Sequence, residues 1–142
     1  MFNTAHLHPM LVHFPIALLT FGFLFELLFL INKKEICFTR TGFYLLISAT
    51  IMGVITILSG FLFTGEMQGA AGAVRETHES LALVTIGLAT ATAILRIYIQ
   101  RKKIEKSPLK TVAFILYSAS ALAVMATGYY GGTLVYNYMM PL

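Results

Sequence analysis

Three histidines and two prolines fall within the stretch HLHPMLVHFP, residues 6 to 15. An apolar run follows at once, and the fourth histidine, His78, opens another. Neutral imidazole is a common metal ligand, and two imidazoles on different helices can hold a haem iron from opposite faces. His13 and His78 are the pair expected in that role, with His8 the alternate partner. His6 lies furthest from the apolar run. A compact zinc or copper site drawing on His6, His8, His13 and His78 is the alternative, since imidazole suits both metals. The spacing matches no strong zinc signature, and the single cysteine, Cys37, gives no internal disulfide and no multi-thiol site. Histidines at a helix start also serve as plain interface residues, with the polar ring tip in water. No histidine lies near the other end of the apolar runs, so at most one bis-histidine haem fits.

Glu26 stands inside FGFLFELLFL, where a lone carboxylate in lipid needs a partner. Arg96 sits at the matching depth of a later run, so a Glu26–Arg96 ion pair is expected. The alternative has Arg96 snorkelling to the surface. Near the end, GYYGGTLVYNY places Gly128, Gly131 and Gly132 among Tyr129, Tyr130, Tyr136 and Tyr138. The tyrosines suit an interfacial belt, while a glycine notch admits a neighbouring backbone or a porphyrin edge. Met67 is a second candidate axial ligand, or a packing residue.

These groups need elements to hold them. The 142 residues suit one domain, and 58% are apolar against 11% charged, too few charges to cover a soluble surface. Four stretches are long enough to cross a hydrocarbon core, about 14–31, 41–64, 80–99 and 110–136. Backbone groups have no water partner in lipid, so all four are expected as helices. The first span lacks the basic start and small-residue cleavage site of a signal peptide. Nine of the ten basic residues lie in or beside two loops, after the first and third spans; Lys106 is among them, and only Arg75 lies on the opposite side. Basic loops stay cytoplasmic, which puts both termini and all four histidines on the outer, periplasmic side. Short connections predict an all-α, antiparallel four-helix transmembrane bundle. Pro9 suits a first helical position, Pro15 is expected to bend the first helix and aim His13 inward, and Thr77 is expected to cap the third. Ala49, Gly53, Thr56, Gly60 and Thr64 form a small-residue stripe, and Gly128 with Gly132 a GxxxG seam. Such seams face sister helices or another subunit of a homo-oligomer. No internal repeat is evident.

HPMLVHFPIALL, the later acidic residue, the histidine opening the third run and GYYGGTLVY together resemble a bacterial membrane family, domain of unknown function 2231, over nearly the whole chain. By position the pattern falls on His8, Pro9, His13, Pro15, Glu26, His78, Gly128, Gly131, Gly132 and Tyr136, with Glu26 standing where Asp is usual. The resemblance implies a four-helix inner-membrane protein with redox associations. The resulting expectation is a multi-pass electron-transfer subunit, not an enzyme, holding one haem b near the periplasmic face. Its partners would be the lipid bilayer and a periplasmic redox protein or larger membrane complex. The rivals are a non-catalytic structural subunit and an outer-facing zinc or copper binder. Nucleic-acid binding is excluded by the absence of a basic stripe with interleaved aromatics. Hydrolysis finds no nucleophile constellation, and a transporter finds no paired broken helices.

Overall fold

The computed structural model describes residues 7–104 and 107–138; His6 and Lys106 lie outside the described residues. The described residues form helices α1 (Leu7–Leu11), α2 (His13–Ile31), α3 (Ile36–Phe63), α4 (Gly69–Arg101) and α5 (Pro108–Asn137). α1 and α2 make one rod, Leu7–Ile31, and with α3, α4 and α5 give four helices long and apolar enough to cross a membrane. Large apolar side chains point outward along them, among them Phe21, Leu62 and Leu122, as lipid contact requires.

Each helix boundary has a local cause. Pro15 has no N–H for the Leu11 carbonyl, and the rod breaks between α1 and α2 at Val12. The freed Leu11 carbonyl lies 3.3 Å from the Thr56 hydroxyl, which donates mainly to the Met52 carbonyl at 2.8 Å. α5 starts at Pro108, with Ser107 as its cap accepting from the Leu109 N–H at 3.2 Å. α4 begins at Gly69, well before the expected position. Residues 69–79 are rich in Ala, Glu and Arg, strong helix formers, and Arg75 pairs with Glu79 one turn on at 2.7 Å. Thr77 is therefore not a cap; it is interior, and its hydroxyl bonds back to Ala73 at 3.0 Å. The helix of 33 residues is about 50 Å long, so part of it stands clear of a core about 30 Å thick.

α2 packs on α3 and α4 on α5 as two hairpins, and α2–α5 and α3–α4 contacts close the ring. Contacts run in opposite order along each neighbouring pair. Glu26 meets Thr39 while His8 meets Ser59, and Phe23 meets Phe114 while Ile16 meets Gly128. Neighbours are thus antiparallel, and α2 lies diagonally across from α4. The core is small-residue rich: Leu19, Leu46, Ala49, Ala89, Ala93, Tyr117 and Val124. We call the two ends of the bundle the histidine end and the basic end.

The hairpins repeat one another, a relation hidden in the sequence. His8 to His78 and Glu26 to Arg96 are both shifts of 70 residues. The same shift carries buried Pro15, Leu19 and Gly22 onto buried Thr85, Ala89 and Thr92. A shift of 71 carries Gly42, Leu46 and Ala49 onto Ala113, Tyr117 and Ser120, all buried, and Thr56 and Gly60 onto Thr127 and Gly131. Two like-oriented hairpins in a ring imply a pseudo-twofold axis along the bundle, as in transporters built from parallel repeats. Few identities survive because lipid-facing positions need only be apolar.

Candidate functional site

His8 lies in α1, and its ring rests against α3. Nδ1 donates to the Thr56 carbonyl at 3.1 Å and contacts the Ser59 hydroxyl at 3.0 Å, which itself donates to the Thr56 carbonyl at 2.7 Å. A Cβ added at Gly60 would stand 3.0 Å from His8 Cε1, so the missing side chain is what admits the ring. His78, in α4, repeats this on α5. Its Nδ1 donates to the Thr127 carbonyl at 3.0 Å, and a Cβ at Gly131 would stand 3.0 Å from its Cε1. In both places the imidazole docks on a Thr-x-x-x-Gly turn of the neighbouring helix. A carbonyl oxygen only accepts, so Nδ1 carries the hydrogen. In the neutral ring, Nε2 then holds the lone pair, the tautomer that metal-ligating histidines adopt with a carbonyl behind them.

The two ring centroids are 6.3 Å apart with an interplanar angle of 83°. Both rings line a cavity of about 380 Å³ that opens at the histidine end and reaches down to Ala49, Ala89 and Val124. From His78 to Ala89 along α4 is a depth of about 16 Å. The volume falls in the usual range for cofactor pockets. Pro9, Ile16, Ile86 and Met67 contribute to its walls, and Arg75 and Glu79 stand among its few polar groups.

The expected pair of His13 with His78 gives way to His8 with His78. Five residues turn a helix by about 140°, so His8 and His13 do not share a face. His13 is exposed, and its Nδ1 donates to the Pro9 carbonyl of its own rod at 2.8 Å; the bend does not aim it inward. It borders the cavity without joining the ring pair. Among the described residues no group of three His, Cys, Asp or Glu side chains is placed to hold a metal; the expected zinc or copper site also drew on His6, which lies outside the described residues. Gly128 packs on Ile16, where a Cβ would stand 3.1 Å from its Cδ1, whereas Gly132 has nothing within 4 Å and lines the cavity. Gly128 and Gly132 therefore do not form one tight GxxxG seam. On α3, Gly53 and Gly60 face sister helices of the same chain. Tyr136 is 84% exposed at the cavity rim, and Tyr129 is also exposed.

Sequence reasoning missed Thr127 and Ser59, and took Thr56 and Gly60 only as packing residues. The legible signal was the matching Thr-x-x-x-Gly in the second and fourth spans.

At the basic end, Arg96 Nη1 is hydrogen-bonded to the Glu26 carboxylate across the bundle diagonal. Arg96 Nη2 donates to the Thr39 carbonyl at 3.1 Å and to its hydroxyl at 2.9 Å, and that hydroxyl donates to Glu26 at 3.2 Å. The guanidinium also lies 5.7 Å from the Phe43 ring centroid. Arg96 is turned inward and does not snorkel. Gly42 makes room for Glu26, since a Cβ there would stand 2.6 Å from Oε1. At Gly22 an added Cβ would overlap the Tyr117 hydroxyl, which donates to the Gly42 carbonyl at 3.0 Å.

No curated protein and no solved structure shows significant similarity to the chain. A family model matches residues 4–141, nearly all of it, including both histidine docking turns and the Glu26–Arg96 pair. With four membrane-length helices and that match, the chain belongs to the family described as predicted membrane protein DUF2231.

Proposed function

We propose that the protein is a small electron-transfer subunit of the bacterial inner membrane, holding one b-type haem between His8 and His78 at the periplasmic end. The carrying observation is the ring pair itself. The two rings, each tied through Nδ1 to a carbonyl of its neighbouring helix, lie with centroids 6.3 Å apart in the wall of one cavity, so His8 and His78 would be the residues that hold the group. A bare ion would leave most of the 380 Å³ cavity unfilled.

When bound, the haem supplies a one-electron iron couple. The chain's own groups do the rest. The Thr56 and Thr127 carbonyls fix ring orientation and raise the basicity of Nε2. Gly60 and Gly131 let the rings reach their places, and Gly132 leaves space beside them. The apolar floor keeps water out, and Tyr136 stands at the rim. Charge placement supports a periplasmic histidine end, because the basic loops lie at the other. One haem at one end exchanges electrons there, with a periplasmic redox protein or a larger membrane complex, and does not by itself carry charge across the bilayer.

The test is expression with ample haem, purification in detergent, and reduced-minus-oxidised spectra. A low-spin Soret and α-band are expected in wild type and in His13→Ala, and are lost in His8→Ala and His78→Ala. Absence of haem from wild type refutes the proposal. Elemental analysis of the same sample finding zinc or copper would favour the ion-binding rival. A structural subunit would show neither, and its partner complex would be indifferent to both histidines.

A further inference from the structure

We infer that the Glu26–Arg96–Thr39 cluster is the positioning group of the imidazole pair: it clamps the two hairpins at the basic end and so sets the gap between His8 and His78 at the other. The hairpins are tied together unevenly. Towards the basic end Phe23 packs on Phe114 and Tyr117 at 5.7 and 5.9 Å, Tyr117 bonds to Gly42, and Arg96 joins Glu26 and Thr39. From Leu19, Ala49 and Ala89 towards the histidine end a cavity lies between them, flanked by Ile16 on Gly128 and Ile86 on Gly53. The two diagonal rods themselves are joined at Glu26 and Arg96, so that junction contributes to the spacing of the imidazoles at their other ends.

The geometry makes that control direct. On unbroken α4, His78 and Arg96 are 18 residues apart, about five whole turns, so they share a helix face about 27 Å apart. His8 and Glu26 keep the same sequence spacing along the Leu7–Ile31 rod, which is interrupted at Val12. A tilt of about 2° at the clamp moves the far end by about 1 Å. Supporting groups must hold ligands to within about 0.5 Å, so a small relaxation of the clamp is felt at the rings.

The role is that of a positioning group and takes its ligand from the haem reading, so the experiment has a ligand-free arm. Met10 and Ser80 are exposed, and the 70-residue shift relates them. Spin labels at Met10→Cys and Ser80→Cys, in a Cys37→Ser background, report the gap between the rods in the full chain. Glu26→Gln, Arg96→Gln and the milder Thr39→Val are compared with Glu26→Gln/Arg96→Gln, which leaves no unpaired charge. The single variants are expected to broaden or lengthen the distance distribution. In the haem-loaded protein they shift the low-spin g-values and midpoint potential and weaken haem binding. The double variant also lacks the ion pair and is expected to keep the altered distribution; its return to the wild-type distribution would assign the effect to an unpaired charge and overturn the clamp. An unchanged distance distribution in folded single variants overturns the clamp. A wild type that takes up no haem removes the haem reading alone, and the distance measurement still decides.

Discussion

Gly131→Ala tests whether His78 is held by its glycine or merely lies near it. The new Cβ would sit 3.0 Å from Cε1 and 3.3 Å from Nδ1 of His78. Ordinary carbon contacts begin at about 3.5 Å, so the ring must retreat by about 0.5 Å. That retreat stretches the Nδ1 bond to Thr127 from 3.0 Å to about 3.5 Å, the edge of a hydrogen bond. Loss of that bond amounts to about 1 kcal/mol, and loss of an outer-shell partner weakens a bound metal centre by about 10–100-fold. Gly87→Ala, away from the cavity on α4, is the control, since nothing lies within 4 Å of its added methyl group. Both changes bring a helix gain of up to about 1 kcal/mol over glycine. Gly87→Ala is therefore expected to hold or raise the melting temperature in detergent with haem affinity unchanged. Gly131→Ala is expected to lose haem at least 10-fold more readily while staying folded. Haem titration of both proteins, with thermal melts alongside, separates the cases. Equal haem affinity in the two variants would show that the glycine does not seat the ring.

Gly22→Ala places a methyl group on the Tyr117 hydroxyl and is expected to prevent stable folding. Tyr117→Phe alone loses the bond to Gly42, about 1 kcal/mol, and the double variant is expected to melt higher than Gly22→Ala alone, a coupling read from a thermal double-mutant cycle. Thr56→Val removes a hydroxyl that bonds back to Met52 and also reaches the Leu11 carbonyl, and is expected to cost about 1 kcal/mol. In a Pro15→Ala background the restored N–H takes that carbonyl, so the same substitution is expected to cost less in detergent melts. The 83° angle between the imidazole planes keeps two iron d orbitals nearly degenerate, so the ferric protein is expected to give a strongly anisotropic low-spin resonance; a rhombic signal typical of parallel planes would count against this ring pair as the ligands.

Apolar run length was enough to read the number of helices, because lipid leaves the backbone no alternative. Helix ends followed other rules. Residues 69–79 carry two glycines and a polar run from Arg75 to Glu79, which suggested a loop, yet their alanines and the Arg75–Glu79 pair favour a helix in water. The choice of His13 weighed closeness to the apolar run over angular position. Equal spacing was the better guide: Glu26 lies 18 residues after His8 and only 13 after His13, while Arg96 lies 18 after His78. Matching the second spacing to the first selects His8. The carbonyls that orient the rings were not legible, because any residue supplies a carbonyl. Only the glycines four residues on, Gly60 and Gly131, betray where a ring can approach one.

The pseudo-twofold relation explains why the two diagonal pairs differ in chemistry. Equivalent positions on α2 and α4 face each other across the bundle, so whatever stands at one meets its counterpart at the other. Two carboxylates facing each other at the depth of Glu26 would repel in a medium that screens poorly, and two guanidiniums likewise. Opposite charges resolve this, and the hairpins diverge there into Glu26 and Arg96. At the histidine end they have not diverged: both positions keep imidazole, both rings are tied through Nδ1, and both leave Nε2 as the acceptor. Two equal lone pairs lining one apolar cavity gain nothing from each other. They gain from an electron-poor centre between them, and that is the physical reason to look for iron there.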